Sequence, residues 1–195
     1  MAHFGKVRKL YKVCFRGIIG VMVMTENKRT ASEGFVGITG EEKQKLYDKA
    51  LEEINGQLST LEKGTIVPRM ATVAAVLKQH MPHYLWCGFY FAEEKELVVG
   101  PYQGWIACPN IPYTGVCGAA AKKGESLIVP NVHEFPGHIV CDARAVSEIV
   151  VPIKDKEGRL IGVIDVDAAY KNAFDDIDKK FLEDLVPLLL DGELQ

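Results

Sequence analysis

The sequence predicts an α+β domain, in which a mainly antiparallel sheet of about six strands carries helices on one face and long loops around a small-molecule pocket on the other. Short apolar runs follow one another between residues 84 and 168, with turn signals such as AEEKE and KDKEG between neighbours. Short connections of this kind favour antiparallel hairpins. Amphipathic patterns at 40–81 and 174–190 flank these runs and predict helices.

The composition is that of an ordinary soluble globular protein. The 195 residues, 48% apolar and 25% charged, are enough for one domain with a full hydrophobic core. A formal net charge of -3 provides no broad basic surface, so we expect neither nucleic acid nor a membrane as a partner. The five cysteines lack the pattern of a secreted disulfide framework, which predicts a reducing, cytoplasmic location.

The N-terminal segment differs from the rest of the chain. We assign residues 1–38 to a basic extension and linker, and residues 39–191 to the domain. Before the first acid at Glu26 come an apolar run, GIIGVMVM, and five basic residues, Lys6, Arg8, Lys9, Lys12 and Arg16. This composition resembles a targeting segment, although the apolar run is short and no clear cleavage site follows it. Import into an organelle and a flexible extension both stay open.

The elements follow in a definite order. Helices are predicted at 40–62, 66–81, 115–123 and 174–190, and strands at 84–92, 96–102, 105–112, 126–131, 148–154 and 159–168. A long loop, NVHEFPGHIVCDARAVS, separates the fourth strand from the fifth. Loops of this length in a compact domain tend to be functional. The arrangement is typical of GAF or PAS domains, which bind small molecules between the sheet and its loops.

Three acidic residues are predicted to meet on one face of the sheet. Asp165 and Asp167 are two residues apart in the apolar run LIGVIDVDAA, so both carboxylates leave the same face of a strand. Glu148 opens another apolar run, EIVVPI. Buried carboxylates without partners cost several kcal/mol or shift their pKa, so this pattern indicates a functional site.

Three cysteines lie in the same part of the chain. Cys108, Cys117 and Cys141 are nine and twenty-four residues apart. Zinc bound by these thiols with His133 or His138 is one alternative, but structural zinc sites favour cysteine pairs two to four residues apart, so we expect no metal. Cys141 follows a polar loop sequence and precedes Asp142 and Arg144, where a partly exposed, reactive thiol is expected. The roles of the two histidines stay open.

The first predicted strand, YLWCGFYF, carries aromatic residues on both faces. Alternation places Trp86, Gly88 and Tyr90 on one face and the more uniformly apolar set on the other. The apolar set is suited to pack against helices, which leaves Trp86 and Tyr90 to line a pocket, with a dip at Gly88 between the two rings.

Taken together, these motifs resemble one family. WCGFYF, GPYQG with the following AC, GVCG, NVH with GHIVCDA, SEIVVPI and IGVIDVD, in this order, resemble the free methionine-R-sulfoxide reductases, which are built on a single GAF domain. The resemblance spans about residues 45 to 190. It implies a catalytic thiol at Cys141, a resolving thiol at Cys108 that forms a redox-active disulfide with it, and a supporting or recycling thiol at Cys117.

The resemblance also implies the remaining site residues and the reaction. Trp86 and Tyr90 would surround the substrate methyl group, and Glu148, Asp165 and Asp167 would lie at the sulfoxide oxygen. The implied activity is an oxidoreductase that reduces free L-methionine-R-sulfoxide, with thioredoxin as external reductant and no bound cofactor, in the response to oxidative stress. The segment PNIPYTGV is one residue shorter than the usual family pattern, so the role of Cys117 stays open.

Two other functions stay open at this point. A non-catalytic sensory GAF module would bind a nucleotide or another small ligand, but it has no need of three cysteines beside carboxylates. A redox-switched interaction protein would form the disulfide without turning over a sulfoxide. The assembly state, including a homodimer, also stays open.

Overall fold

The computed structural model describes residues 9–15, 18–24, 38, 40–61 and 66–190, and it divides into two compact units between Val36 and Gly37. In the first unit, β1 (Lys9–Phe15) and β2 (Ile18–Met24) form an antiparallel pair with Lys9 opposite Met24. The apolar run that we assigned to an extension is therefore a strand, in keeping with its branched residues. The predicted linker lies outside the described residues, except for residue 38.

The second unit contains the predicted helices and strands. The helices are α1 (Gly40–Leu58), α2 (Ile66–His80), α3 (Gly115–Lys123) and α4 (Asp176–Leu190). The strands are β3 (Trp86–Ala92), β4 (Glu96–Gln103), β5 (Asn110–Pro112), β6 (Leu127–Val129), β7 (Ser147–Lys154) and β8 (Leu160–Ala168). None of the described helices combines the length and the apolar composition that crossing a membrane would require.

Six strands form one sheet in the order β5-β4-β3-β8-β7-β6, and every neighbouring pair is antiparallel. The predicted fold class is confirmed. The helices α1, α2 and α4 pack on one face, with core residues such as Tyr47, Leu77, Phe89, Ile164 and Leu185. On the opposite face, α3 packs over a smaller core that includes Trp86, Tyr90 and Val163.

The third strand is shorter than predicted. We expected residues 105–112 to be extended, but β5 covers only Asn110–Pro112. Gly104 has φ +138, and a side chain there would meet the Trp86 ring, since an added Cβ would lie 2.5 Å from Cδ1. Pro109 has no N–H to donate to a neighbouring strand. The residues between β4 and β5 therefore form a loop, which carries Cys108.

A buried ionic network joins α1 to the start of α4. Lys43 contacts both Asp178, at 2.5 Å, and Asp175, at 2.9 Å, and Tyr47 donates a hydrogen bond to Asp178. Burial alone would raise the pKa of Asp178, but hydrogen bonds from His83 and other neighbouring side chains overcome it and lower that pKa to about 2. Because the folded state holds this pKa below its unfolded value, the stabilisation is present above about pH 4 and is lost as the pH falls towards 2.

We expect Asp178→Ala to lower the free energy of unfolding by about 3–5 kcal/mol, because the substitution leaves the Lys43 ammonium buried beside an empty position. The matched control is Asp175→Ala, which removes a half-exposed partner of the same lysine and the cap of the Ile177 N–H. It should cost about 1 kcal/mol. Urea denaturation at neutral pH measures both, and equal losses would show that the buried pair is not the main stabilising contact.

Candidate active site

The register of three central strands places the predicted carboxylates in one row. Asp167 of β8 lies opposite Trp86 of β3 on one side and opposite Glu148 of β7 on the other. Two residues along, Asp165 lies opposite Gly88 and Val150. All of these residues are on the face that α3 covers, because alternate residues of β7 and β8 pack against the other helices.

A cavity opens over this row. The start of α3 lines it with Gly115 and Cys117, and the long loop between β6 and β7 lines it with His138 and Cys141. Its floor consists of Glu148, Asp165 and Asp167. A second cavity is lined by Trp86 and Tyr90 and shares four lining residues with the first, Cys141, Asp142, Asp165 and Asp167. Cys141 therefore lies where the acidic and the aromatic cavities meet.

The aromatic wall also anchors the loop that carries Cys108. The Trp86 indole donates a hydrogen bond to the Trp105 carbonyl at 3.2 Å, and the Tyr90 hydroxyl donates one to the Cys108 carbonyl at 3.2 Å. Tyr102 stacks on Trp86, with ring centroids 5.3 Å apart. The predicted dip at Gly88 is filled, since a Cβ there would lie 2.3 Å from the Tyr102 Cβ and 2.7 Å from the Trp86 ring.

Two thiols lie next to each other at the junction of the cavities. Cys108 and Cys141 are both partly buried and both free thiols. Burial raises the pKa of the Cys141 thiol, and a hydrogen bond with the Cys108 thiol and the nearby Asp165 charge raise this pKa further. Asp142 and Arg144 bind each other, with Nε 2.9 Å from Oδ1, and the guanidinium lies 4.6 Å from the Trp105 ring centroid. The expected partly exposed thiol is present, but its raised pKa keeps it protonated at neutral pH.

The third thiol belongs to the acidic cluster. Cys117 is buried, and its Sγ donates a hydrogen bond to Glu148 Oε1 at 3.4 Å. Burial raises its pKa well above the usual value, and the charges of Asp165 and Glu148 add to this effect. Among the described residues, the pair in contact at the cavity junction is thus Cys108 with Cys141, while Cys117 faces a carboxyl group.

The three carboxyl groups hold protons to different extents. Burial raises the pKa of Glu148 and of Asp167 well above the usual range, and the charge of Asp165 raises both pKa values further. Burial raises the pKa of Asp165 to about 7, against the lowering effect of hydrogen bonds with Cys117 and Glu148. No lysine or arginine is among the described residues that line either cavity, so no fixed cation balances these carboxylates.

Comparisons with known proteins agree with this geometry. The GAF domain family matches residues 61–189. A free methionine-R-sulfoxide reductase from Saccharomyces cerevisiae is 49% identical over 108 residues, which is 53% of this chain and 60% of the yeast protein. A free methionine-R-sulfoxide reductase from Escherichia coli is 39% identical over 140 residues, which is 70% of this chain and 84% of that protein.

The chain belongs to the free methionine-R-sulfoxide reductase family. The structure of a free methionine-R-sulfoxide reductase from Neisseria meningitidis in complex with its substrate has a TM-score of 0.71 and 37% identity, and the alignment covers 80% of this chain and 92% of that one. The resemblance inferred from the sequence motifs is thereby confirmed.

In this family member, the structure brings together all eight residues that the sequence nominated: Trp86, Tyr90, Cys108, Cys117, Cys141, Glu148, Asp165 and Asp167. Among the described residues, the close group of possible metal-ligand atoms consists of Cys117, Glu148 and Asp165, whereas the zinc alternative combined three thiols with a histidine. His138 lines the acidic cavity, with its Nδ1 buried and without a partner among the described residues.

The sequence analysis did not predict two residues of the site, Tyr102 and Trp105. Tyr102 stacks on Trp86, and Trp105 lines the aromatic cavity and receives the indole hydrogen bond. Both belong to the motif GPYQGW, which directly precedes the loop of Cys108. The only available signal was an aromatic pair around Gly104, since their contacts with β3 depend on the register of β3 and β4.

Proposed function

We propose that this protein reduces free L-methionine-R-sulfoxide to L-methionine, with Cys141 as the attacking thiol. Family membership supports this proposal. The observation that carries it is the adjacent Cys108 and Cys141 thiols at the edge of a carboxyl cluster that has no basic counter-ion. A sulfoxide needs a nucleophile for its sulfur and a proton for its oxygen, and this cavity offers both.

The first step transfers the sulfoxide oxygen. The Cys141 sulfur attacks the sulfoxide sulfur, while Glu148 or Asp167, whose raised pKa values keep a proton available, protonates the departing oxygen. Asp165, with a pKa of about 7 and a buried oxygen without a partner, accepts the thiol proton as general base. The attack forms a sulfur–sulfur bond between Cys141 and the substrate. This bond and the substrate sulfur–oxygen bond then break as the protonated oxygen passes to the Cys141 sulfur, so methionine leaves with one electron pair and Cys141 becomes a sulfenic acid.

The second step closes a disulfide. The Cys108 thiol condenses with the Cys141 sulfenic acid, which forms the Cys108–Cys141 bond and releases water. Thioredoxin then reduces this disulfide by dithiol exchange and is itself oxidised, so the cycle needs no bound cofactor or metal. The effect of the Cys108 thiol on the pKa of Cys141 places the two thiols close together, which supports this pairing.

The two cavities offer a separate place for each part of the sulfoxide group, because the acidic and the aromatic cavities meet at Cys141. The aromatic cavity that contains Trp86 and Tyr90 adjoins Cys141, so a methyl group can pack there while the sulfoxide oxygen points to the acids. The expected preference for the free amino acid over a peptide rests on family membership.

The test is NADPH oxidation coupled through thioredoxin reductase and thioredoxin, with free R-sulfoxide, free S-sulfoxide and a peptide sulfoxide offered separately. We expect turnover with the free R epimer and little with the other two. Equal rates with both epimers, or turnover of the peptide alone, would contradict the proposed function.

A further inference from the structure

One group of side chains has the composition of a metal site. The Cys117 Sγ and carboxylate oxygens of Glu148 and Asp165 all lie within 4.8 Å of one another. The three residues are only 5%, 6% and 6% exposed. A thiolate with two carboxylates is a ligand set that suits zinc and its softer relatives.

The negative charge of these carboxyl groups has no basic partner among the described residues that line the cavities. Asp165 Oδ1 is buried and has no hydrogen-bond partner among the described residues. The carboxylate of Asp142, which lines the same cavity, is already bound by Arg144. No lysine or arginine is among the described lining residues. A buried acidic cluster of this kind needs either protons or a bound cation, because unpaired charges are costly away from water.

The distance between two of these ligand atoms suits a metal ion with tetrahedral coordination. For metal–sulfur and metal–oxygen bonds of zinc length, tetrahedral angles place sulfur and oxygen about 3.6 Å apart. The Cys117 Sγ and Glu148 Oε1 are already 3.4 Å apart. Asp165 arrives from the neighbouring strand, and its carboxylate oxygen lies within 4.8 Å of the other two ligand atoms. The lining of the same cavity also includes Cys141.

We infer that Cys117, Glu148 and Asp165 form a binding site for a thiophilic divalent cation of the zinc class, which occupies the cavity in place of the sulfoxide. Binding would release the protons of the thiol and the carboxyl groups to solvent. The ion would bind Asp165, the proposed base, and Glu148, one of the two proposed proton donors, so it would inhibit rather than assist. This competition rests on the proposed function, whereas the binding of the ion does not.

The binding test uses reduced protein and Cd²⁺ as the probe, because a cadmium–thiolate bond absorbs in the near ultraviolet. Wild-type protein should show this absorption at one Cd²⁺ per chain, and Zn²⁺ should displace it. Cys108→Ser removes the adjacent Cys108 and Cys141 thiol pair as a rival Cd²⁺ site and should keep the absorption and the affinity. Adding Cys117→Ser to this variant should remove the absorption and weaken binding at least about 10-fold. Asp165→Asn is the second variant: it should keep the absorption but weaken binding by a similar factor.

The outcomes separate clearly. Unchanged absorption when Cys117→Ser is added to Cys108→Ser, loss of the absorption in Cys108→Ser alone, or its absence from the wild type would each overturn the inference. A second arm measures methionine released in one turnover, where Zn²⁺ should act competitively with the sulfoxide. A protein that binds Cd²⁺ through Cys117 but never releases methionine would keep the metal site and refute the proposed function. Normal turnover that saturating Zn²⁺ leaves unchanged would refute the inference alone.

Discussion

Cys141→Ser should abolish methionine formation even in a single turnover, whereas Cys108→Ser should release up to one methionine per chain and then stop. The difference follows from the two roles. Without the Cys141 sulfur there is no acceptor for the sulfoxide oxygen, since a serine hydroxyl is a far weaker nucleophile. Without Cys108, the oxygen can still be transferred, but the sulfenic acid on Cys141 has no neighbouring thiol to condense with. Rapid quench with methionine quantification measures both variants.

The positions of the thiols also predict which two sulfur atoms form a disulfide after turnover. Cys108 is the hydrogen-bond neighbour of Cys141, while the Cys117 thiol donates to Glu148. Mass spectrometry of the wild type, alkylated after addition of substrate, should therefore find Cys108 linked to Cys141. Cys117→Ser is the matched control, and this link should still form in it. A link confined to Cys117 and Cys141 would show that the resolving thiol has been misassigned.

The faces of the central strands could be predicted from sequence because strand alternation is set by local geometry. Asp165 and Asp167 had to share a face once LIGVIDVDAA was a strand, and Trp86 had to share one with Tyr90. The two-sided packing then followed from which face was more uniformly apolar. These inferences depended on neighbouring residues alone, which is why they agree with the structure.

The features that sequence did not predict depend on contacts between distant residues. The loop of Cys108 was taken for a strand because its bend depends on Gly104 packing against Trp86. The raised pKa of Cys141 depends on burial and on Cys108, whereas sequence showed only the adjacent Asp142 and Arg144. The nearby guanidinium of Arg144 binds Asp142, so it does not serve as a cationic partner of the thiol.

The double substitution Glu148→Gln and Asp167→Asn should lower the single-turnover rate about 10²-fold or more, within the usual range for general acid catalysis. The two amides keep the shapes of the side chains but cannot supply a proton. Oxygen is a poor leaving group until it is protonated, so chemistry should slow more than substrate binding weakens. Quench-flow measurements at several sulfoxide concentrations separate the rate from the affinity. The control is Glu134→Gln. Glu134 is exposed in the loop between β6 and β7, so this substitution should leave the rate unchanged.

The pH dependence of the wild-type single-turnover rate shows which carboxyl group must be ionised and which must be protonated. Asp165 must be ionised to accept the thiol proton, so the rate should rise as the pH passes through its pKa of about 7. Glu148 and Asp167 have pKa values raised well above the usual range, so their shared proton is lost only at higher pH, where the rate should fall. A reaction limited only by Cys141 ionisation would instead keep accelerating, because the pKa of this thiol is also raised.

The alkaline fall therefore distinguishes a proton donor from a thiolate requirement, provided that a chelator keeps divalent cations out of the cluster. In the double variant the donor is already absent, so the residual slow reaction should lose the alkaline fall while the rise near neutral pH, which belongs to Asp165, persists. If the double variant instead kept both the wild-type rate and the wild-type profile, Glu148 and Asp167 would be structural residues. The proton for the sulfoxide oxygen would then have to come from solvent entering beside Cys141.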